Sequence, residues 1–577
     1  MSNRRVLHLL RSSLVVVIVA AASLSGQQPS TPSPAIRVTT HMVLVDVVVT
    51  DKQGKAVTGL RPEDFVVEEN GKVQKISNLT TPAENAPVSA PQLPAGIYSN
   101  RPEYRSLGGP ITVMLLDALN TPFTNQGYAR RQMLAFVQQQ FKPTDRMAVF
   151  ALTGPLNVLQ DLTSDPQVLY AALQRYKPQA QEFESSGRPA TSAASGTATT
   201  GSVVTSLDAS TPPLIDNSAS ASVRGGAASA AFSSAQAALQ AFEGAQVAYA
   251  EEQRAVLTLS ALGSMARILG GLPGRKNLIW VTGELPFSFI PEDRVMTDAE
   301  LGEELPSMET RRVGEHAAGN YAATFRASHA EEIREISARL STAQVAVYPV
   351  DARGLSISTE IDSQETMREM AREIGGRAYV NQNEIRVGVE RAFEDESAAY
   401  SLGYYPENKK YDGKYRSIKV KVKRDGVEVH SRRGYYAIDT TQTKGYSAQQ
   451  QVASALGDSV SSTLVSFSAQ VKPPSANSVP NKIGVTYLVD ASTLSAEDAS
   501  AGKHLNVAFY ATIYAGGKIV ANASQKVDQT FDANTFQQIV QKGLMLHLDL
   551  DPQPGQLRLA VQDVRTGLVG TINTQSP

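Results

Sequence analysis

Apolar residues along the chain fall into three different rhythms. Val38, Met42, Leu44, Val45, Val47 and Val49 form a β-branched run that stops at Asp51-Lys52-Gln53-Gly54, the signature of a strand closed by a turn. Val66 to Glu68 and Lys72 to Ile76 flank Asn70-Gly71, a dipeptide that supplies the positive φ angles of a tight hairpin. A small β module is therefore expected over 36–79, followed by a Pro- and Ala-rich linker over 80–105.

From Ile111 the rhythm changes. The apolar run Ile111 to Leu116 ends at Asp117, and a polar loop leads into a helical pattern around Gly127 to Phe141. Met147 to Leu152 reads as a strand, Val158 to Leu162 as a short edge strand, and Pro166 to Tyr176 as a helix capped by Ser164 or Asp165. A Ser-, Ala-, Thr- and Gly-rich stretch over 178–235 carries too few large apolar residues to offset ordering entropy, and is read as a disordered insertion. A long helix follows, with Leu259, Leu262, Met265 and Ile268 at helical spacing before Gly270-Gly271. Next come the strand Leu278 to Val281, a polar excursion over 285–324, a helix from His329 to Leu340 and the strand Val345 to Val350, ending at Asp351. A helix from Gln364 to Ile374, a strand Ala378 to Val380 and a helix from Glu384 to Phe393 complete the unit. Alternating strands and helices predict an α/β domain over 108–396, with a mostly parallel, doubly wound sheet covered by helices on both faces. Loop-borne chemistry belongs at the carboxyl edge of such a sheet.

The third rhythm is alternation without helices. Tyr400 to Tyr404, Ser417 to Lys423 and Gly434 to Ile438, with turns at Asp412-Gly413 and Asp425-Gly426, predict a β-hairpin extension over 397–440. A linker over 441–465 leads to short strands and frequent turns over 466–577, read as an immunoglobulin-like β-sandwich.

The first residues modify this picture. Arg4, Arg5 and Arg11 precede the apolar run Leu14 to Ala22 and the small residues Ser23, Ser25 and Gly26, which reads as a signal peptide over 1–26. The mature chain is then expected in the periplasm or outside the cell, with no membrane span after cleavage. Cysteine is absent, which removes disulfides, thiolate catalysis and Cys-ligated zinc together. A net charge of -2 gives no global field to attract nucleic acid. The seven histidines show no HExxH spacing, and neither a G-x-S-x-G elbow nor a P-loop is present. The tyrosines from Tyr400 to Tyr436 are read as β-core residues in preference to a sugar-stacking face.

Several stretches, taken in order, are similar to von Willebrand factor A-related proteins of the exported bacterial type. They include Val45-Asp46-Val47-Val48-Val49-Thr50-Asp51, Leu115-Leu116-Asp117 with Asn120-Thr121, and Leu272-Pro273-Gly274-Arg275-Lys276. Val347-Tyr348-Pro349-Val350-Asp351-Ala352-Arg353-Gly354 and Leu402-Gly403-Tyr404-Tyr405-Pro406 extend the likeness. The resemblance implies a metal-ion-dependent adhesion site: DxSxS after the first strand, a Thr from a second loop and an Asp after the fourth strand. Mg2+ or another divalent cation would be held there by oxygen ligands.

In this sequence Asp117 and Thr121 match, Leu119 stands where the first Ser is expected, and Thr163 is the candidate second-loop Thr. The position of the last Asp falls on Gly283, with Glu284 one residue late; Asn120 and Glu284 could donate oxygens only if the loops shift. The expected site is therefore degenerate or weak; caps or loop hydrogen bonds explain Asp117, Thr121 and Thr163 at least as well, and Asp351 reads equally as the end of a strand. The functional expectation is a protein that binds a protein partner in the cell envelope or outside the cell, as adhesin or scaffold. The alternative is an exported hydrolase of peptide or glycan with its residues in the 285–324 excursion.

Overall fold

The computed structural model describes residues 42–82, 92–101, 104, 111–142, 145–179, 246, 249–272, 274–287, 318–354, 361–382, 384–440, 448–457, 461–474 and 481–577. The signal-like segment, nearly all of the 178–235 insertion and residues 288–317 of the polar excursion lie outside them.

The chain begins with β1 (Val43–Asp51), β2 (Phe65–Glu69), β3 (Lys72–Gln74), β4 (Ile76–Thr80) and β5 (Ile97–Ser99). The middle of the chain supplies β6 (Ile111–Asp117), α1 (Phe123–Gln139), β7 (Met147–Leu152), β8 (Leu156–Thr163), α2 (Pro166–Arg175) and α3 (249–270). It continues with β9 (Lys276–Thr282), α4 (Ala318–Thr342), β10 (Val345–Asp351), α5 (Ile361–Ile374) and α6 (Ile385–Ser397). Four strands follow: β11 (Ala399–Tyr404), β12 (Tyr415–Val422), β13 (Val427–Ser431) and β14 (Gly434–Tyr436). The last third holds α7 (Ala448–Gly457), β15 (Phe467–Lys472), β16 (Ile483–Val489), β17 (Glu497–Ala499), β18 (Gly502–Ala515) and β19 (Lys518–Phe531). It closes with α8 (Ala533–Lys542), β20 (Leu544–Leu550), β21 (Gln556–Asp563) and β22 (Val569–Gln575).

The architecture is mixed α/β. One sheet has the order β10-β9-β6-β7-β8, in which the first four strands run parallel and β8 returns antiparallel at the edge. Every residue of β6, β7, β9 and β10 is buried, as a sheet covered on both faces requires. On one face Val113, Leu115 and Trp280 pack with Leu259 and Leu262 of α3, Ile336 of α4 and Met370 of α5. On the other, Met114 and Leu116 pack with Met133 and Phe136 of α1, Leu173 of α2 and Val389 of α6. The predicted strand at 378–380 is reduced to a single parallel bridge between Val350 and Tyr379. Asp165 caps α2 as expected, accepting the Gln167 amide at 2.8 Å.

The β elements pair in a way local pattern does not announce. The sheets β13-β1-β11-β4 and β14-β12-β2-β3 interleave strands from before and after the α/β body, so the 36–79 module and the 397–440 extension share their sheets. Val45, Val47 and Val49 share one core with Phe65, Tyr400, Leu402, Tyr404 and Ile418. The Tyr400 hydroxyl ties that core, accepting from Leu60 N at 3.2 Å and donating to Val57 O at 3.0 Å. Asn70 and Gly71, with φ of 48° and 78°, form the expected turn between β2 and β3. Asp425-Gly426, by contrast, carries the chain from one sheet to the other, since β12 pairs with β2 while β13 pairs with β1.

The terminal sandwich packs the sheet β20-β16-β15-β5 against one containing β17, β18, β21 and β22, with β19 on the outer side of β18. Strand β5, from the stretch expected to be a linker, belongs to this sandwich through its pairing with β15. The fully buried Asn100 fixes it: its amide donates to Ser462 O and Val465 O at 2.9 Å each, and its oxygen accepts from Phe467 N at 2.8 Å. The second expected linker contains α7, whose Val452, Ala455 and Leu456 pack on Ala560 and Val569. Where α3 ends, a Cβ on Gly271 would lie 2.1 Å from Thr463 O; only a glycine lets the sandwich approach the α/β body this closely.

Candidate functional site at the carboxyl edge of the α/β sheet

The parallel register brings the ends of three neighbouring strands to one level. Asp117 is opposite Leu152, Leu116 is opposite Val281, and Thr282 is opposite Asp351. Asp117, Thr282 and Asp351 thus terminate β6, β9 and β10 along one rim, all buried.

Asp117 is 2% exposed, and both of its oxygens are occupied by protein donors. Oδ1 accepts from Asn120 N at 2.9 Å. Oδ2 accepts from Asn120 Nδ2, Trp280 Nε1 and Thr282 Oγ1, each at 2.9 Å. Three donors converge on Oδ2 and one on Oδ1, and the Thr282 hydroxyl, which has a single proton, also lies 2.8 Å from Glu284 O. Burial pushes the Asp117 pKa up, and the hydrogen bonds from Asn120, Trp280 and Thr282 offset this only in part.

The flanking loops are latched to each other. Thr121 Oγ1 accepts from Gly283 N at 2.9 Å, and Glu284 N donates to Asn120 O at 3.1 Å. Ala118 N and Leu119 N both donate to Leu152 O at 2.9 Å. From inside, Gln126 Nε2 reaches Ala118 O at 3.1 Å and Thr121 O at 2.9 Å. The Asn120 amide also donates to Thr258 Oγ1 on α3, at 2.9 Å. Its Oδ1 is buried without a partner among the described residues. Glu284 is engaged by Arg254 of α3 in an ion pair. Asp351 is held by Arg353, through Nε at 2.9 Å and Nη2 at 3.0 Å, and by Gln364 Nε2 at 3.2 Å.

Two features decide whether a divalent cation fits. First, the Asp117 oxygens already face the N–H groups of Asn120 and Trp280, with the Thr282 hydroxyl at hydrogen-bond distance, so an incoming cation meets the positive ends of these dipoles. Secondly, a Cβ at Gly283 would lie 2.9 Å from both Asn120 O and Pro122 Cδ, so the loop leaves no room for the expected aspartate. The residues do not fit Mg2+ in this arrangement. Among the described residues no group of three or more His, Cys, Asp or Glu side chains is placed to hold a metal.

Of the sequence-predicted site residues, Asp117, Asn120, Thr121 and Glu284 gather at the rim, and Thr163 does not. Strand β8 runs back down the sheet, pairing Thr163 with Met147, which pairs with Thr112. Thr163 therefore lies at the opposite edge, five residues or about 16 Å below Asp117. There its hydroxyl accepts from Asp165 N at 3.1 Å, at the entry to α2. The turn Thr153-Gly154-Pro155, directly after β7, is the signal that the next strand reverses. Sequence reasoning also missed Trp280, Thr282, Thr258 and Gln126. A lone tryptophan in a fully buried strand needs a partner for its indole N–H, and that requirement points to Asp117.

Outside the latch, Pro122, Phe123 and Thr124 are exposed at the start of α1, Phe123 at 47%. The rim thus combines a hydrogen-bonded polar base with a half-exposed aromatic side chain. No protein-family model matches the chain, and no curated protein matches its sequence.

Proposed function

We propose that this chain is an exported, non-enzymatic binding or scaffold protein whose α/β body is of the doubly wound von Willebrand factor A type. The carboxyl-edge loops dock a protein partner in the cell envelope or outside the cell. They do so as a hydrogen-bonded latch in the position of the family's metal cage. The β-sandwiches, the terminal one of immunoglobulin-like kind, space and present that surface.

The observation that carries this reading is the Asp117 carboxylate, hydrogen-bonded by Asn120, Trp280 and Thr282 in the loop that leads into the exposed Pro122-Phe123-Thr124. Loops fixed before a partner arrives lose little entropy on binding, and an exposed aromatic next to a rigid base is the usual form of an interface anchor.

The test is a cross-linking pull-down from a cell-envelope extract with the purified chain, its Phe123→Ser variant, and EDTA in a parallel sample. Capture of a protein by the wild type, weakened in Phe123→Ser and indifferent to EDTA, supports the proposal. Capture of no envelope protein overturns it. Saturable binding of Mg2+, Mn2+ or Ca2+ in calorimetry, abolished in Asp117→Ala, would restore the metal cage in place of the latch.

A further inference from the structure

We propose that two copies of this chain pair through the outer edge of β19, antiparallel, in a register centred on Val527. Among the described residues β19 pairs only with β18, so its other side presents an open row of backbone donors and acceptors. Its pairing with β18 jumps between Ile513 and Tyr514, which leaves Val520 as a bulge and the ladder regular from Ala521 to Phe531. Natural proteins blunt such edges with proline, bulges, short length or charged side chains, lysine above all. Ala521 to Phe531 has no proline, glycine or bulge, and its only charged residues, Lys526 and Asp528 on the outer face, are of opposite sign.

The sequence of this edge is complementary to itself. Antiparallel self-pairing centred on Val527 places Lys526 of each copy opposite Asp528 of the other, twice over. Ser524 then meets Thr530, Gln525 meets Gln529, Ala523 meets Phe531, and Val527 meets its own counterpart. Lys526 and Asp528 stand on one face, their side chains 48% and 44% exposed, and already approach each other at 2.8 Å within a copy. His504 Nε2 lies 2.9 Å from the same carboxylate and adds positive charge when protonated. Slipping the register by two residues places Lys526 opposite Lys526, or Asp528 opposite Asp528, and a one-residue slip sets the outer face of one strand against the core face of the other, so the Val527 centre is selected. The paired copies form one sheet continuous through both sandwiches, and a two-fold operation closes the assembly. A strand edge buries less surface than a standard interface, so the dimer is transient.

Sedimentation velocity over a concentration series tests this. The wild type is expected to pass from monomer to dimer, and Lys526→Glu to weaken the dimer at least about tenfold by opposing two carboxylates twice. The double exchange Lys526→Asp with Asp528→Lys restores it, because the charges again alternate across the axis. Melting temperatures of all three proteins, measured alongside, show that the sandwich is intact. A mixture of the Ser524→Cys and Thr530→Cys variants, each with a single thiol because the chain has no cysteine, is expected to form the mixed disulfide. A chain that stays monomeric throughout, a dimer indifferent to Lys526→Glu, failure of the double exchange to restore it, or absence of the mixed disulfide overturns the proposal. In the first case the edge serves a strand of another protein or none.

Discussion

Replacing Asp117 by alanine removes the acceptor on which three side chains and one backbone amide converge. Thr282 Oγ1 can turn to Glu284 O, 2.8 Å away, and the Asn120 amide keeps Thr258. Asn120 N and Trp280 Nε1 are left as buried donors without a partner. Each orphaned donor costs about 1–3 kcal/mol, and release of a buried carboxylate offsets part of this, for a net loss of about 2–4 kcal/mol. Asp117→Asn keeps the shape and gives its amide oxygen to the three-donor position, but its NH2 faces Asn120 N; the cost is smaller, about 1–2 kcal/mol. The chain supplies its own probe, since Trp280 is the single tryptophan, fully buried and bonded to Asp117. Urea titration followed by Trp280 emission should show the midpoint falling in the order wild type, Asn, Ala, by about 1 M or more for Ala. Midpoints unchanged or raised in both variants would refute the latch. That result is what a strained, function-dedicated ligand gives when removed.

Gly271→Ala drives a methyl group against Thr463 O and should cost about 1–3 kcal/mol or more, read as a lower melting temperature and faster limited proteolysis between the α/β body and the terminal sandwich. Asn100→Ala strips two carbonyls and one amide of their partner, and should lower the calorimetric transition of the terminal sandwich by several degrees while leaving Trp280 emission unchanged. Burial pulls the His329 pKa down, but hydrogen bonds and charge from Glu252 and Glu332 outweigh it and hold the pKa above 6.5. The clasp it forms between α3 and α4 is thus fully present below pH 6.5 and is lost as pH rises through the folded-state value. NMR titration should place His329 above 6.5, and His329→Gln should remove that part of the pH dependence of stability.

The buried strands of the α/β body were legible because strands covered on both faces show as unbroken apolar runs: Ile111 to Leu116, Met147 to Leu152 and Val345 to Val350 need no partner to be recognised. Local chemistry was equally readable at Asp165 and at Asn70-Gly71. What escaped depends on pairing at long range or on very short elements. No periodicity in Val43–Asp51 tells that its neighbour is Ala399–Tyr404, and three residues at Ile97–Ser99 are too few for alternation to show. At the rim, the sequence offered Asp117 and Thr121 either as metal ligands or as loop hydrogen-bonding groups, and the partners of Asp117 lie too far along the chain for local pattern to show. Spacing identifies an oxygen donor, whereas only the fold reveals that Trp280 and Thr282 already fill it.

The interleaved first sandwich also fixes an order of events during biosynthesis. Leu60 bonds to a tyrosine 340 residues further along, so Val45, Val47 and Val49 leave the ribosome with β11 and β12 still unmade. Until Tyr400 arrives those valines remain open to other hydrophobic surfaces, and the segment depends on delayed folding or a holding chaperone. A nascent chain arrested before Ala399 should therefore be prone to aggregate even when its α/β body is complete, and completing β11 and β12 should end that exposure.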